Sequence, residues 1–177
     1  MSSSTNIAVG IGGREKMRTS IDHVMTITAD LAKAAIAVCK LGVFCTAESQ
    51  LLSCSSVNRT IVFQNDYWEL LTFLESTPAN APLRHSAKLR SGINGICAHS
   101  HDLDDTILRA RAAGLPMSEP ISLGRKIILD GVDRELSFRV SHCLGLPDAL
   151  LMFYCQHRLE ISCGAKNGSR TQTERWA

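Results

Sequence analysis

Two stretches of the chain repeat one another at an offset of 72 residues. Residues 21–42 read IDHVMTITADLAKAAIAVCKLG and residues 93–114 read INGICAHSHDLDDTILRARAAG. The offset carries Ile21 to Ile93, Asp30 to Asp102, Leu31 to Leu103, Ala35 to Ile107 and Gly42 to Gly114. A duplication of this kind narrows the choice of folds more than composition can. Each copy is one supersecondary unit whose apolar face needs a neighbour to cover it. At under 80 residues neither unit can bury a helix and a sheet alone, whereas two packed together can share a core.

Each copy opens with a β-rich run and continues into a helix. Asp30 and Asp102 suit helix N-caps, because a short carboxylate accepts from the free N–H groups of the first turn. Leu31, Ala34, Ala35, Val38 and Leu41 recur at helical spacing, as do Leu103, Ile107, Ala110 and Ala113. Gly42 and Gly114 then stop the helices, where a left-handed backbone is cheapest. Alternation predicts strands over 44–50, 59–64 and 67–74 after the first helix. After the second it predicts strands over 117–123, 136–142 and 150–157, with a further piece at 125–129 before an Asp130-Gly131 turn. The pattern is β-α-β-β-β twice, an α+β fold. Unit one spans 20–75, a linker with no clear apolar period spans 76–91, and unit two spans 92–158. Residues 1–17 read as a disordered leader and 159–177 as an irregular tail.

Composition excludes several functions. Of 177 residues, 45% are hydrophobic and 20% charged, so wholesale disorder is excluded. Nineteen Lys and Arg face seventeen Asp and Glu with no basic run, so a nucleic-acid footprint is missing. The longest apolar helix candidate, 31–41, carries Lys33 and Lys40, and no stretch suits a bilayer. The polar N-terminus has no apolar core and is not a secretory signal. Seven cysteines at irregular gaps contain no Cys-x-x-Cys pair, which reads as reduced thiols in a cytoplasmic protein.

The quoted residues carry a family resemblance. Ile21-Asp22-His23-Val24 opens the first strand, with Asp30-Leu31 at the helix start and Leu41-Gly42 at its end. Tyr67-Trp68-Glu69-Leu70-Leu71 closes the first unit. Ala112-Ala113-Gly114-Leu115, Leu129-Asp130-Gly131 and Phe153-Tyr154-Cys155-Gln156-His157 follow in the second. In order and spacing these resemble the glyoxalase-like branch of the vicinal-oxygen-chelate superfamily over roughly residues 20–160. The resemblance implies paired βαβββ units whose sheets curve into a half-open barrel with the helices outside. It also implies a divalent metal held by the first and last strands of the units and bound to a substrate through adjacent oxygens. The activities it implies include isomerisation, epimerisation, lyase chemistry, ring-cleaving dioxygenation and thiol transfer, and some members only sequester drugs.

Alternation in the first strand puts Ile21, His23, Met25 and Ile27 on one face and Asp22, Val24 and Thr26 on the other. His23 thus interrupts an inward apolar row. Glu69 does the same among Tyr67, Leu71 and Phe73. A buried carboxylate is costly unless it is paired or bound to a cation, and imidazole plus carboxylate suits zinc, manganese, nickel or iron(II). The bland alternatives are a hydrogen-bonded core histidine and a Glu69 paired with an arginine such as Arg59. In the second unit the partner of His23 is Gly95, which ligates nothing, and the partner of Glu69 falls near Tyr154 or Gln156. A third ligand comes from Gln156 or from His157, since alternation forbids both. His99 and His101, flanking Ser100, favour a solvated or capping role. Arg125 and Arg139 are candidates to meet an anionic substrate, but as strand residues with alternate exposure they read as solvated.

The expected function is that of a metal-dependent lyase or isomerase acting on a small oxygenated substrate. His23, Glu69 and Gln156 (or His157) hold the metal, and Glu69 serves as ligand, base or both. One rival is a metal-free module that sequesters a small molecule, which Gly95 favours. A second is a non-functional fragment of a longer four-unit protein. In the resembled branch, Cys-Gln-His is followed by a stretch like W-R-x-E-W-Q-x-H-x-N-G-A, absent here in frame. The codons from Cys163 onward, read from the last base of each codon with the first two of the next, permit that whole motif, so a frameshift near 158–162 is expected to have replaced a C-terminal half. Met17 is a candidate original start. Pairing of two chains as a homodimer stays open.

Overall fold

The computed structural model describes residues 19–129, 132–147 and 149–158. The leader, the tail with its frameshift reading and the Asp130-Gly131 turn lie outside these residues.

The duplication is visible as architecture. Unit one contains β1 (Ile21–Ile27), α1 (Leu31–Cys39), β2 (Ser49–Leu51), β3 (Ser56–Val62) and β4 (Tyr67–Phe73). After α2 (Ala81–Leu89), unit two contains β5 (Ile93–His99), α3 (Leu103–Ala112), β6 (Ile121–Leu129), β7 (Val132–His142) and β8 (Leu151–Arg158). All eight strands form one sheet in the order β2-β3-β4-β1-β5-β8-β7-β6. Within each half the first and last strands run parallel, β1 with β4 and β5 with β8, and the halves join where β1 and β5 pair antiparallel. The outer strands β2 and β6 approach each other, so the mixed sheet curls into a nearly closed barrel. Among the described residues no helix is long and apolar enough to cross a membrane.

Both helix caps follow from local chemistry. Asp30 accepts from the Lys33 backbone N–H at 2.9 Å, and Asp102 accepts from those of Asp104 and Asp105 at 3.1 Å. Gly42 and Gly114 take positive φ values of 79° and 86° just past the helices. The inward stripe of α1, Leu31, Ala35 and Val38, packs on Ile61 and Leu70. On α3 Leu103, Ile107 and Ala110 pack with Met117. The opposite face of the sheet closes on a third cluster that includes Met25, Leu71, Cys97, Phe138 and Phe153. That cluster draws from both units, so neither half completes it alone.

Three local expectations change. The predicted strand over 44–50 shrinks to Ser49–Leu51, with Cys45 making one isolated bridge to Ile61. The pieces at 117–123 and 125–129 fuse into β6, leaving Met117 as a bridge to Cys143. The linker is ordered: Thr77 caps a 3₁₀ turn, Pro78–Asn80, that leads into α2. Buried Asn80 donates to the carbonyls of Cys54 and Glu75, and buried Ser86 donates to that of Ala149 at 2.9 Å. Side chains facing polar backbone, not an apolar stripe, fix this helix, which is why periodicity does not find it.

Candidate functional site

The inner face of the barrel encloses a cavity of about 510 Å³. Its wall is mainly apolar, with His23, Asn58, Glu69, Arg125, His142 and His157 among its polar members. Pro78, Pro82 and Leu83 of the linker close part of it. A largely apolar pocket with a few convergent polar groups is the usual form of a small-molecule site.

β1 places two consecutive side chains in buried positions, which a regular strand does not do. Its pairing with β5 shifts register between Ile21 and His23, so Asp22 is the extra residue of a β-bulge. The expectation that Asp22 faces away from His23 is therefore corrected. Asp22 is fully buried and gathers three imidazoles. His23 Nδ1 lies 2.7 Å from Oδ1, His99 Nδ1 3.3 Å from Oδ2, and His157 Nε2 3.0 Å from Oδ2. Burial alone would push the Asp22 carboxyl up, but the hydrogen bonds from His157, His23 and His99 outweigh it and hold the group well below the usual carboxylate range. Burial pulls His157 down, yet Asp22 and the Cys155 thiol raise it to about 10.

His23 is held on three sides. Its ring stacks on Tyr67 with centroids 4.4 Å apart, meets the Phe153 ring at 5.5 Å, and is anchored through Nδ1 to Asp22. A carboxylate at Nδ1 keeps the proton there and leaves Nε2 as the lone-pair nitrogen. Nε2 lies 3.9 Å from Glu69 Oε2. β4 carries Glu69 inward, where Asn58 donates to Oε1 and the Arg125 guanidinium stands 3.5 Å from the same oxygen. Arg125 also sits over the Phe138 ring, 5.5 Å from its centroid. The solvated reading of Arg125 is thus corrected. Arg59 pairs with Glu48 instead, at 3.1 Å, and Arg139 grips Asp104 at 2.8 Å.

The remaining expected residues separate. Gln156 faces the start of α3, where its amide donates to the His101 carbonyl at 2.8 Å. His157 is the one that lines the cavity. His99 and His101 meet each other at 3.4 Å, with His99 turned inward on Asp22 rather than solvated. Strand register also corrects the partner of Glu69. β1 and β4 pair Met25 with Glu69, and β5 and β8 pair Cys97 with Phe153, so Phe153 holds the equivalent place. The longer β6–β7 ribbon displaces the second unit's numbering beyond the simple offset.

Gly95 and Phe153 thus occupy the positions that mirror His23 and Glu69, and neither offers a donor atom. The four-ligand set that the fold's two halves could supply does not assemble. Asp22, His23 and Cys97 do place donor atoms within 4.8 Å of one another, the one such grouping among the described residues that could hold a metal. To take an ion, Asp22 would have to give up imidazole bonds that already satisfy it.

Residues 21–173 match the family of glyoxalase-like domains. Comparison with curated proteins finds no match. Among solved structures, a hypothetical protein from Staphylococcus aureus aligns with a TM-score of 0.66 and 13% identity over 89% of this chain. The alignment covers 63% of that protein, so the chain spans less than two thirds of its length. Methylmalonyl-CoA epimerase from Mycobacterium tuberculosis aligns at 0.58 and 18% identity, covering 80% of this chain and 90% of the epimerase. A hypothetical protein from Bacillus halodurans aligns at 0.60 and 16%, covering 85% of this chain and all of its own. Identities this low speak to the fold.

Proposed function

The chain belongs to the glyoxalase-like domain family, and from that membership and the cavity we propose that it binds a small oxygenated molecule and moves a proton on it by acid–base chemistry at His23 and Glu69. One observation supports this most: His23, fixed through Nδ1 by Asp22, aims Nε2 at Glu69 across 3.9 Å. That separation is too long for a hydrogen bond and admits a ligand's polar atom between the two groups, as pre-catalytic geometry often does.

In this reading His23 Nε2 accepts the proton. Asp22 stabilises the imidazolium that forms, as an orienting carboxylate does behind a catalytic histidine. Glu69, expected as ligand, base or both, has its Oε1 engaged by Asn58 and Arg125. Its free Oε2 instead positions a hydroxyl or takes the proton back. The apolar wall excludes water and accommodates the body of the ligand. One of the structural relatives is a methylmalonyl-CoA epimerase, which motivates carbonyl acids as probes. Two of the four mirrored positions hold Gly95 and Phe153, which bring no side-chain ligand, so in this reading the proton transfer rests on the chain's own residues.

The same pair of residues favours a second reading, in which the cavity binds its ligand without turnover. One experiment separates the readings. The purified chain is incubated in D₂O with a panel of small 2-oxo and 2-substituted carbonyl acids, exchange of the carbon-bound proton is followed by NMR, and metal content is measured on the same sample. Exchange that falls about 100-fold or more in His23→Ala supports acid–base turnover. Binding without exchange supports sequestration. Stoichiometric metal lost in His23→Ala would reinstate the metal-dependent mechanism.

A further inference from the structure

A second group of reactive side chains stands on the cavity wall, on β8. Cys155 and His157 are two residues apart on one face of the strand, and Cys155 Sγ lies 3.7 Å from His157 Nε2. The same ring nitrogen reaches Asp22 Oδ2 at 3.0 Å, so a carboxylate from the other unit holds the imidazole in place. The His157 ring is flanked by Phe138, with centroids 6.2 Å apart. Both Cys155 and His157 line the cavity.

We propose that Cys155 is a nucleophilic thiol that captures small uncharged electrophiles of the α,β-unsaturated carbonyl class inside the cavity, with His157 as its proton partner. Sulfur is the softest nucleophile available there, and an imidazole within reach of it is the arrangement that activates cysteines elsewhere. In the step, Sγ adds to the β-carbon and one C–S bond forms as the C=C π bond opens. Sγ attacks as the thiolate of a thiolate–imidazolium pair, and the His157 imidazolium then delivers its proton to the α-carbon. The product is a thioether, with no leaving group and no change of total charge. The predominantly apolar wall selects an uncharged electrophile over an ionic one.

The chain carries its own reference thiols. Cys97, on the neighbouring strand β5, is as fully buried as Cys155 but does not line the cavity. Cys54 lines the same cavity, but its polar neighbour is the Ser53 hydroxyl at 4.0 Å. Cys39 is exposed. The test is time-resolved peptide mass mapping of the native chain treated with N-ethylmaleimide. Cys155 should label about tenfold or more faster than Cys97 and faster than Cys54, and His157→Gln should slow it about tenfold with Cys39 unchanged. An unlabelled Cys155, a rate no greater than that of Cys97, or a rate unaltered in His157→Gln would overturn the proposal. Should His157→Gln fail to fold, the wild-type ratio of Cys155 to Cys97 decides. Labelling needs no turnover at His23 and Glu69, so this proposal and the acid–base reading can fail separately.

Discussion

Asp22 and His157, 135 positions apart in the chain, meet with the carboxylate Oδ2 3.0 Å from the imidazole Nε2. The contact ties the first strand of unit one to the last strand of unit two. It makes one fully buried carboxylate a hinge-pin of the assembled barrel.

The pH dependence of stability follows from that carboxylate. Its folded pKa lies below the ordinary 3.8, so the unfolded chain takes up the proton first as the medium is acidified. The stabilisation is present above about pH 4 and is lost as pH falls below it. Asp22→Asn should therefore lose about 3 kcal/mol or more at pH 7, by leaving a buried imidazolium unpaired, and should show a flatter acid limb than the wild type. Urea unfolding at pH 7, 5 and 3 measures both. Parallel acid limbs would refute the assignment.

Gly95 is a packing position. A Cβ built there lies 2.7 Å from Met25 Cε and 3.4 Å from Phe153 Cε1. Gly95→Ala should cost about 1–2 kcal/mol, since the clash falls on the far end of a flexible side chain. Met25→Ala should cost about 2–4 kcal/mol by opening a void, and the double variant less than the two costs together. Chemical denaturation of the four proteins in this cycle reads the coupling.

The Arg125–Glu69 pair has both side chains about one-tenth exposed. Removing one member should leave the other charge without its partner. Arg125→Met is expected to destabilise by about 2–4 kcal/mol, and a second change, Glu69→Gln, should recover about half of the loss. A thermal melt of single and double variants checks this, and simple additivity would argue against the pairing.

The two helix caps provide a matched test of the duplication. Asp30→Ala removes one accepted N–H and Asp102→Ala removes two. Both should destabilise by about 1 kcal/mol, with Asp102→Ala the larger. Denaturant midpoints suffice.

What could be read from the sequence was whatever obeys a period. The helices capped by Asp30 and Asp102, their glycine stops and the inward faces of His23 and Glu69 follow from spacings of 3.6 and 2. What could not be read depends on departures from a period. The bulge at Asp22 defeats alternation, because the residue that turns the strand looks like any outward polar position. Helix α2 is anchored by Asn80 and Ser86 reaching backbone carbonyls, which leaves no apolar stripe to detect. Arg125 looks like a solvated strand residue until the barrel brings β6 opposite β4. The choice between Gln156 and His157 needed the register of β8, and no pattern within one strand supplies that.

The mirrored positions Gly95 and Phe153 have a stereochemical consequence. A barrel made from two equivalent halves offers an incoming molecule two docking senses related by the dyad, each with the same reactive groups. Here one half presents imidazole and carboxylate while the other presents bare backbone and a benzyl ring. A prochiral guest therefore meets different functional groups on its two flanks, and either of its faces can be singled out without any further selectivity element.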